Sequence, residues 1–198
     1  MQTGNLKVKY NKEIRKHLKE TLGKKNIYQV PKLEKIVLNI GFGKISPDEK
    51  TREQIATNLG KIAGQKPIFT AAKKAIAGFK IREGQIIGAK VTLRGGKMYH
   101  FFEKLVSIVI PRLRDFRGLN EKSFDSKGNY TIGFREMNLF PEIEYKSGEK
   151  AVGLEITICS NALNPEEAEA LLRELGTPFR ADKAKQRATT ETVSLMGK

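Results

Sequence analysis

The chain has 198 residues, 39% of them hydrophobic, which is enough for a core of ordinary size and too much for a disordered chain. It carries 37 Lys and Arg against 22 Asp and Glu, a formal charge of +15, so a polyanionic partner is expected: nucleic acid first, an anionic membrane as the rival. A single cysteine, Cys159, excludes an intrachain disulfide, and one Cys with two distant His (His17 and His100) excludes a Cys-rich zinc site.

The first five residues are polar and lack a signal-peptide core. The longest apolar run in the middle of the chain, Leu105 to Pro111, is far short of the roughly 20 residues a membrane span needs. A soluble, cytoplasmic protein is expected. Leu6, Tyr10, Ile14, Leu18 and Leu22 form a four-residue stripe that predicts an amphipathic helix ending at Gly23. Pro31 breaks the chain, and Leu33 to Ile40 reads as a strand with Ile36, Leu38 and Ile40 on one face and Lys35, Val37 and Asn39 on the other. Gly41-Phe42-Gly43 lacks the third glycine of a dinucleotide loop, and each Gly-Lys pair lacks the rest of a P-loop.

Ser46-Pro47-Asp48-Glu49 is a capped helix start; Ile55, Leu59 and Ile62 are its buried stripe and Gly64 its end. Pro67 to Thr70 could form a short strand, and residues 71–85 read as a long exposed loop. Ile86 to Arg94 is a second strong strand, with Ala89, Val91 and Leu93 opposite Lys90, Thr92 and Arg94. Gly95-Gly96 reads as a turn, and Met98, Phe101, Phe102, Leu105 and Val109 as a helix closed by Pro111. Residues 112–129 look irregular, with a turn at Lys127-Gly128-Asn129. Strands follow at Tyr130 to Glu136 and Leu154 to Ser160. Asn164-Pro165-Glu166-Glu167 caps a last helix, which Gly176 and Pro178 stop. Strands mixed with helices, without a strict βαβ alternation, predict an α+β fold. The expectation is a mainly antiparallel sheet with helices on one face, a long basic loop, one domain over residues 1–180 and a flexible extension over 181–198.

Charge is concentrated. Residues 61–97 hold nine cations against Glu83 alone, a net +8, whereas the last helix carries four glutamates against Arg173. Such asymmetry is the mark of a binding footprint. Lys90, Thr92 and Arg94 make one strand face polar and basic, and Asn39 lies on the polar face of its own strand. Together they would offer amide, hydroxyl and cationic donors to phosphates and ribose hydroxyls. The same alternation is also the default of any half-exposed sheet. In the 71–85 loop, Lys73, Lys74, Lys80 and Arg82 surround Phe79, which suits either contact with a folded RNA or plain solvation.

Enzyme chemistry finds less support. His17 and His100 read as helix residues, and Ser107 with them has no triad spacing. Glu142 and Glu144 read as a solvated strand edge. Cys159 reads as a core residue, and Phe101, Phe102, Phe124 and Phe134 as core aromatics. No cofactor is expected. An RNA-modifying enzyme and a membrane-coating protein remain as rivals; the second would favour amphipathic helices over a basic strand face.

Long strings then occur in order: Gln29 to Gly41 (QVPKLEKIVLNIG), Gly64 to Pro67 (GQKP), Phe79 to Gly84 (FKIREG) and Gly88 to Gly95 (GAKVTLRG). Pro111 to Leu119 (PRLRDFRGL), Phe140 to Ile143 (FPEI) and Gly176 to Phe179 (GTPF) complete the series. Over about residues 5–180 the chain resembles the bacterial family of large-ribosomal-subunit protein number five, which binds 5S ribosomal RNA. The resemblance implies a non-enzymatic constituent of the central protuberance whose sheet face binds RNA through Asn39, Gln65 and Thr92. Lys66, Lys90 and Arg94 would add phosphate contacts, and 23S ribosomal RNA is a further implied partner. A loop including Ala77, Gly78, Phe79, Lys80 and Arg82 would approach the peptidyl-site transfer RNA. The segments carrying Arg112, Arg114, Pro141, Glu142 and Glu144 would meet a small-subunit head protein. Ser126-Lys127, Lys146-Ser147-Gly148 and the 18 residues after Arg180 depart from the family pattern.

Overall fold

The computed structural model describes residues 5–42, 49–114, 116–143 and 152–180. Gly43, the capping residues 46–48, Glu144, Lys146-Ser147-Gly148 and the extension 181–198 lie outside the described residues.

Among the described residues, five strands form one sheet: β1 (Leu33–Gly41), β2 (Ile68–Ala71), β3 (Ile86–Leu93), β4 (Tyr130–Phe134) and β5 (Leu154–Ser160). Their order is β2-β3-β1-β5-β4, and every neighbouring pair is antiparallel. β1 is the middle strand, paired with β3 on one side and β5 on the other, so its backbone groups find partners in both directions. Inward residues of four strands are buried together: Ile36, Leu38 and Ile40; Ala89, Val91 and Leu93; Tyr130, Ile132 and Phe134; Leu154, Ile156 and Ile158.

The helices are α1 (Asn5–Lys9), α2 (Arg15–Thr21), α3 (Glu49–Ala63), α4 (Gly95–Lys104) and α5 (Pro165–Glu174). They add their apolar stripes to that same core. α3 packs on β3, α4 on β1 and α1, and α5 on α2. The expected α+β arrangement is therefore what the chain adopts, and among the described residues no helix covers the second sheet face.

The four-residue stripe has a geometric consequence. On an α-helix of 3.6 residues per turn, a step of four advances about 40° past a full turn, so five such residues would wind off one face. A π-turn at Tyr10–Ile14 joins α1 to α2, and its wider turn pulls the stripe back into line. Tyr10, Ile14 and Leu18 are all buried as a result. The same device recurs at Leu105–Val109, where α4 continues through a π-turn into a 3-10 turn, Ile110–Arg112. Pro111 thus lies inside the final turn rather than after it.

Several local expectations change. Gly95-Gly96 is the first turn of α4, not a separate turn; Gly95 stands at φ +60, which suits a residue without a side chain. The third expected strand stops at Phe134, two residues early. Besides the Tyr10–Tyr99 pair, two aromatic groups stand out among the described residues. Phe140 stacks on Phe101 and meets Phe134 edge-on, while Phe124, Tyr130 and Phe179 pack together. Cys159 is only half-buried and alternates onto the face opposite Ile158, so it is not a core residue. Glu142 sits in a turn, half-buried and paired with Lys104, so it is not a solvated strand edge.

A few buried polar contacts fix how the layers meet. The Tyr10 hydroxyl donates to the Pro31 carbonyl at 2.8 Å, and the Tyr130 hydroxyl to the Asn120 carbonyl at 2.8 Å. Burial pushes both phenols up to about 12. Lys24 pairs with Glu167 at 2.6 Å, joining the end of the first helical segment to α5.

Candidate nucleic-acid interface

The register settles which side chains share the helix-free face. Asn39 of β1 stands directly opposite Lys90 of β3 and Glu155 of β5. Lys90 in turn faces Ile68 of β2, and Glu155 faces Gly133 of β4. One row, Ile68–Lys90–Asn39–Glu155–Gly133, therefore crosses the whole sheet. The next row is Thr92–Val37–Thr157–Thr131. Neighbouring strands lie about 4.8 Å apart, so each residue in a row can share a ligand with the next. Asn39 and Lys90 are exposed, Thr92 is half-buried, and Ile68 is 67% exposed.

Two loops bring further candidates to this face. Gly64, at φ +63, ends α3 and turns the chain toward β2. Gln65 follows, and its Nε2 donates to the Thr92 carbonyl at 3.3 Å. Gln65 is thereby held against the strand that carries Thr92, with Lys66 exposed beside it. Arg94, also exposed, follows β3 in extended conformation at the N-cap position of α4, its side chain making no cap bond. Asn39, Gln65, Lys66, Lys90, Thr92 and Arg94 are thus assembled along β1, β3 and the α3–β2 linker.

The face is not uniformly cationic. Asn39 Nδ2 donates to Glu155 Oε2 at 3.2 Å, which orients the amide and leaves its oxygen as a free acceptor. Thr131 and Thr157 share a hydroxyl contact at 3.2 Å. Positive charge on this face sits on β3 (Lys90) and at Lys35 of β1, opposite Cys159, while β5 and β4 present hydroxyls and one carboxylate. Phosphate would be favoured over β3 and discouraged near Glu155. Glu155, Thr157, Thr131, Val37 and Ile68 are not singled out by the sequence, although the Leu154-Ile156-Ile158 alternation already places Glu155 and Thr157 opposite the core.

The loop after β2 is a small hairpin in its own right. Ala72 N–H donates to the Gln85 carbonyl at 2.9 Å, and Ile76 and Ile81 exchange bonds of 2.9 and 3.2 Å. A 3-10 turn over Ala77–Phe79 forms the tip, and Lys80 follows at φ 55, a left-handed conformation uncommon for a residue with a side chain. Ala77, Gly78, Phe79, Lys80 and Arg82 are all exposed, Phe79 by 75%.

Arg112 is exposed at the end of the 3-10 turn after α4, and Arg114 and Pro141 are exposed on other loops. Glu142 is turned inward: its Oε1 meets Lys104 Nζ at 2.5 Å, and Lys104 also donates to the Ile62 carbonyl at 2.8 Å. Among the described residues, no hydrogen bond or ion pair joins Arg112 or Arg114 to Pro141 or Glu142.

Of the residues weighed for catalysis, His17 pairs through Nδ1 with Glu174 at 3.2 Å on the surface. His100 is exposed. Burial pushes the Cys159 thiol up, away from the reactive thiolate. Among the described residues, no group of three or more His, Cys, Asp or Glu is placed to hold a metal.

Two family descriptions match the chain: ribosomal protein L5 over residues 26–82, and the C-terminus of that same ribosomal family over residues 86–179. A large ribosomal subunit protein uL5 of Anaeromyxobacter sp. (strain Fw109-5) is 54% identical over 175 residues, covering 88% of this chain and 97% of its own length. The protein of the same description from Trichormus variabilis is 51% identical over 180 residues, covering 91% and 99%. That from Limosilactobacillus fermentum is 51% identical over 174 residues, covering 88% and 97%. The chain belongs to the ribosomal protein L5 family, whose members are structural, non-enzymatic constituents of the large ribosomal subunit.

Proposed function

We propose that the β2–β3–β1 part of the open sheet binds 5S ribosomal RNA in the central protuberance of the large subunit. The row in which Asn39 stands directly opposite Lys90 carries this reading, because an acceptor, an amide donor and a cation meet on one exposed surface. Lys66, Lys90 and Arg94 neutralise phosphates; Asn39, Gln65 and Thr92 add hydrogen bonds that sense the sugar and the groove shape. The Phe79-tipped hairpin, with Lys80 and Arg82, reaches toward the peptidyl-site transfer RNA. Arg112, Arg114 and Pro141 face a small-subunit head protein, with Glu142 acting from within the turn and Glu144 beyond it. 23S ribosomal RNA is a further partner. Residues 1–180 serve as one RNA-binding unit, with 181–198 as an extension. The setting is the ribosome in the bacterial cytoplasm. The membrane rival gains nothing from the fold: the basic face is borne by strands, and no helix among the described residues is long and apolar enough to cross a membrane.

Binding of purified 5S RNA tests the assignment. Asn39→Ala and Thr92→Val are each expected to cost about 1–3 kcal/mol, the range for a lost bond that leaves its partner unsatisfied. Asn39→Ala should cost more, since it also releases the Glu155 carboxylate beside the phosphates. Unchanged affinity in both variants would remove these residues from the interface.

A further inference from the structure

The whole net charge of +15 resides in two segments. Residues 61–97 account for +8, and residues 5–32 for the other +7, with nine cations against Glu13 and Glu20; the rest of the chain is balanced. The second segment is not part of the open sheet. It comprises α1, the π-turn, α2 and the 3-10 turn Ile27–Gln29 that packs on α2.

Its 3-10 turn carries Tyr28, 79% exposed, among the most exposed large hydrophobic side chains in the described structure. Its ring is not idle. The Arg15 guanidinium lies over one face, 5.0 Å from the ring centroid, and Arg15 Nε donates to the Ile27 carbonyl at 3.2 Å. The Asn26 side chain accepts from the Tyr28 N–H at 3.0 Å and fixes the turn that carries it. One aromatic face is therefore backed by a cation and held in place.

The segment that carries this platform is rich in further cations. Lys19 is one helical turn from Arg15 on the same face of α2, Lys16 is the next residue after Arg15, and Lys12 lies in the preceding π-turn. Lys25 and Lys32 flank Tyr28 along the chain. Lys12, Lys16, Lys25 and Lys32 are exposed, and Lys19 is half-buried. Glu13 and Glu20 are the carboxylates of the same helical run, and Lys24 is neutralised by Glu167.

We propose that Tyr28, backed by Arg15, is a stacking site for an unpaired RNA base, with Lys12, Lys16, Lys25 and Lys32 holding the adjoining phosphates. An exposed aromatic ring amid cations is the pairing that single-stranded nucleic acid recognises: every base has a π-face, and the backbone supplies the anions. An acidic peptide would use the cations and leave the ring without a purpose. The site is independent of the sheet face, so the protein can grip two RNA segments at once.

A short unstructured RNA carrying one 2-aminopurine tests this with the full chain. Stacking on Tyr28 should quench the probe on binding. Tyr28→Leu should abolish the quench and weaken binding roughly 5- to 150-fold, the span of one base–aromatic stack. Tyr28→Phe should keep both. Lys16→Ala should flatten the salt dependence by about one unit while the bound probe stays quenched. Lys122→Ala, an exposed cation outside this segment, should change neither. A quench that survives Tyr28→Leu would overturn the site. So would an acidic peptide of equal charge that competes as well as the RNA and is indifferent to Tyr28→Leu. Neither result would bear on 5S RNA binding by the sheet.

Discussion

Gly88→Ala is expected to lower stability by about 3 kcal/mol, and with it the melting temperature by roughly 6–12 °C for a chain of this size. Gly88 lies in β3 between Thr70 of β2 and Gly41 of β1. A Cβ there would fall 2.5 Å from the Ile40 carbonyl oxygen and 2.9 Å from Thr70 Oγ1. The threonine side chain could rotate away. The carbonyl belongs to a paired central strand whose Ile40 side chain is buried, so relief requires β1 to shift against β3. Gly133→Ala is the matched control: it lies in β4 of the same sheet, and a Cβ there meets nothing within 4 Å. Thermal unfolding of the two variants side by side separates a steric cause from a generic loss of glycine. Because Asn39 and Lys90 are next on the same face to the Gly41–Gly88 pair, the shift should also weaken RNA binding by the folded protein.

The paired reversal Lys90→Glu with Arg94→Glu should weaken 5S RNA binding by roughly 100-fold or more, since each charged contact contributes about 1.5–3 kcal/mol. Each lost phosphate contact should also lower the slope of log affinity against log salt by about one, so the double variant should lose about two. The new carboxylates would join Glu155 on the same surface and repel the backbone outright. Both side chains are exposed, so the melting temperature should barely move. A slope unchanged by the reversal would mean that phosphates lie elsewhere.

The fold and the interface are legible in the sequence to different depths. Alternation in β1, β3 and β5 is a local signal, and it correctly separates Asn39, Lys90, Thr92 and Arg94 from the core side. It cannot say that Asn39 stands opposite Lys90, because register is set by which strands meet across the fold. Glu155 escapes notice for that reason: its importance comes from lying beside Asn39, 116 positions away. Cys159 reads as core although the period of two already assigns it to the open face. The four-residue stripe of the first helix is visible, but a four-residue step is also roughly one α-turn, so the π-turn stays hidden. The hairpin within residues 72–85 depends on backbone bonds that no side-chain pattern announces. The basic segment 5–32 does not stand out because its cations sit on a plainly amphipathic helix, where charge is the ordinary complement of a buried stripe.

The most direct measurement is lysine acetylation of the full chain, free and bound to 5S ribosomal RNA, read residue by residue. If the sheet face holds the RNA, Lys66 and Lys90 lose reactivity in the complex while Lys122 and Lys127, exposed on the loops before β4, keep theirs. Lys66 and Lys90 reacting as fast in the complex as in the free protein would contradict it.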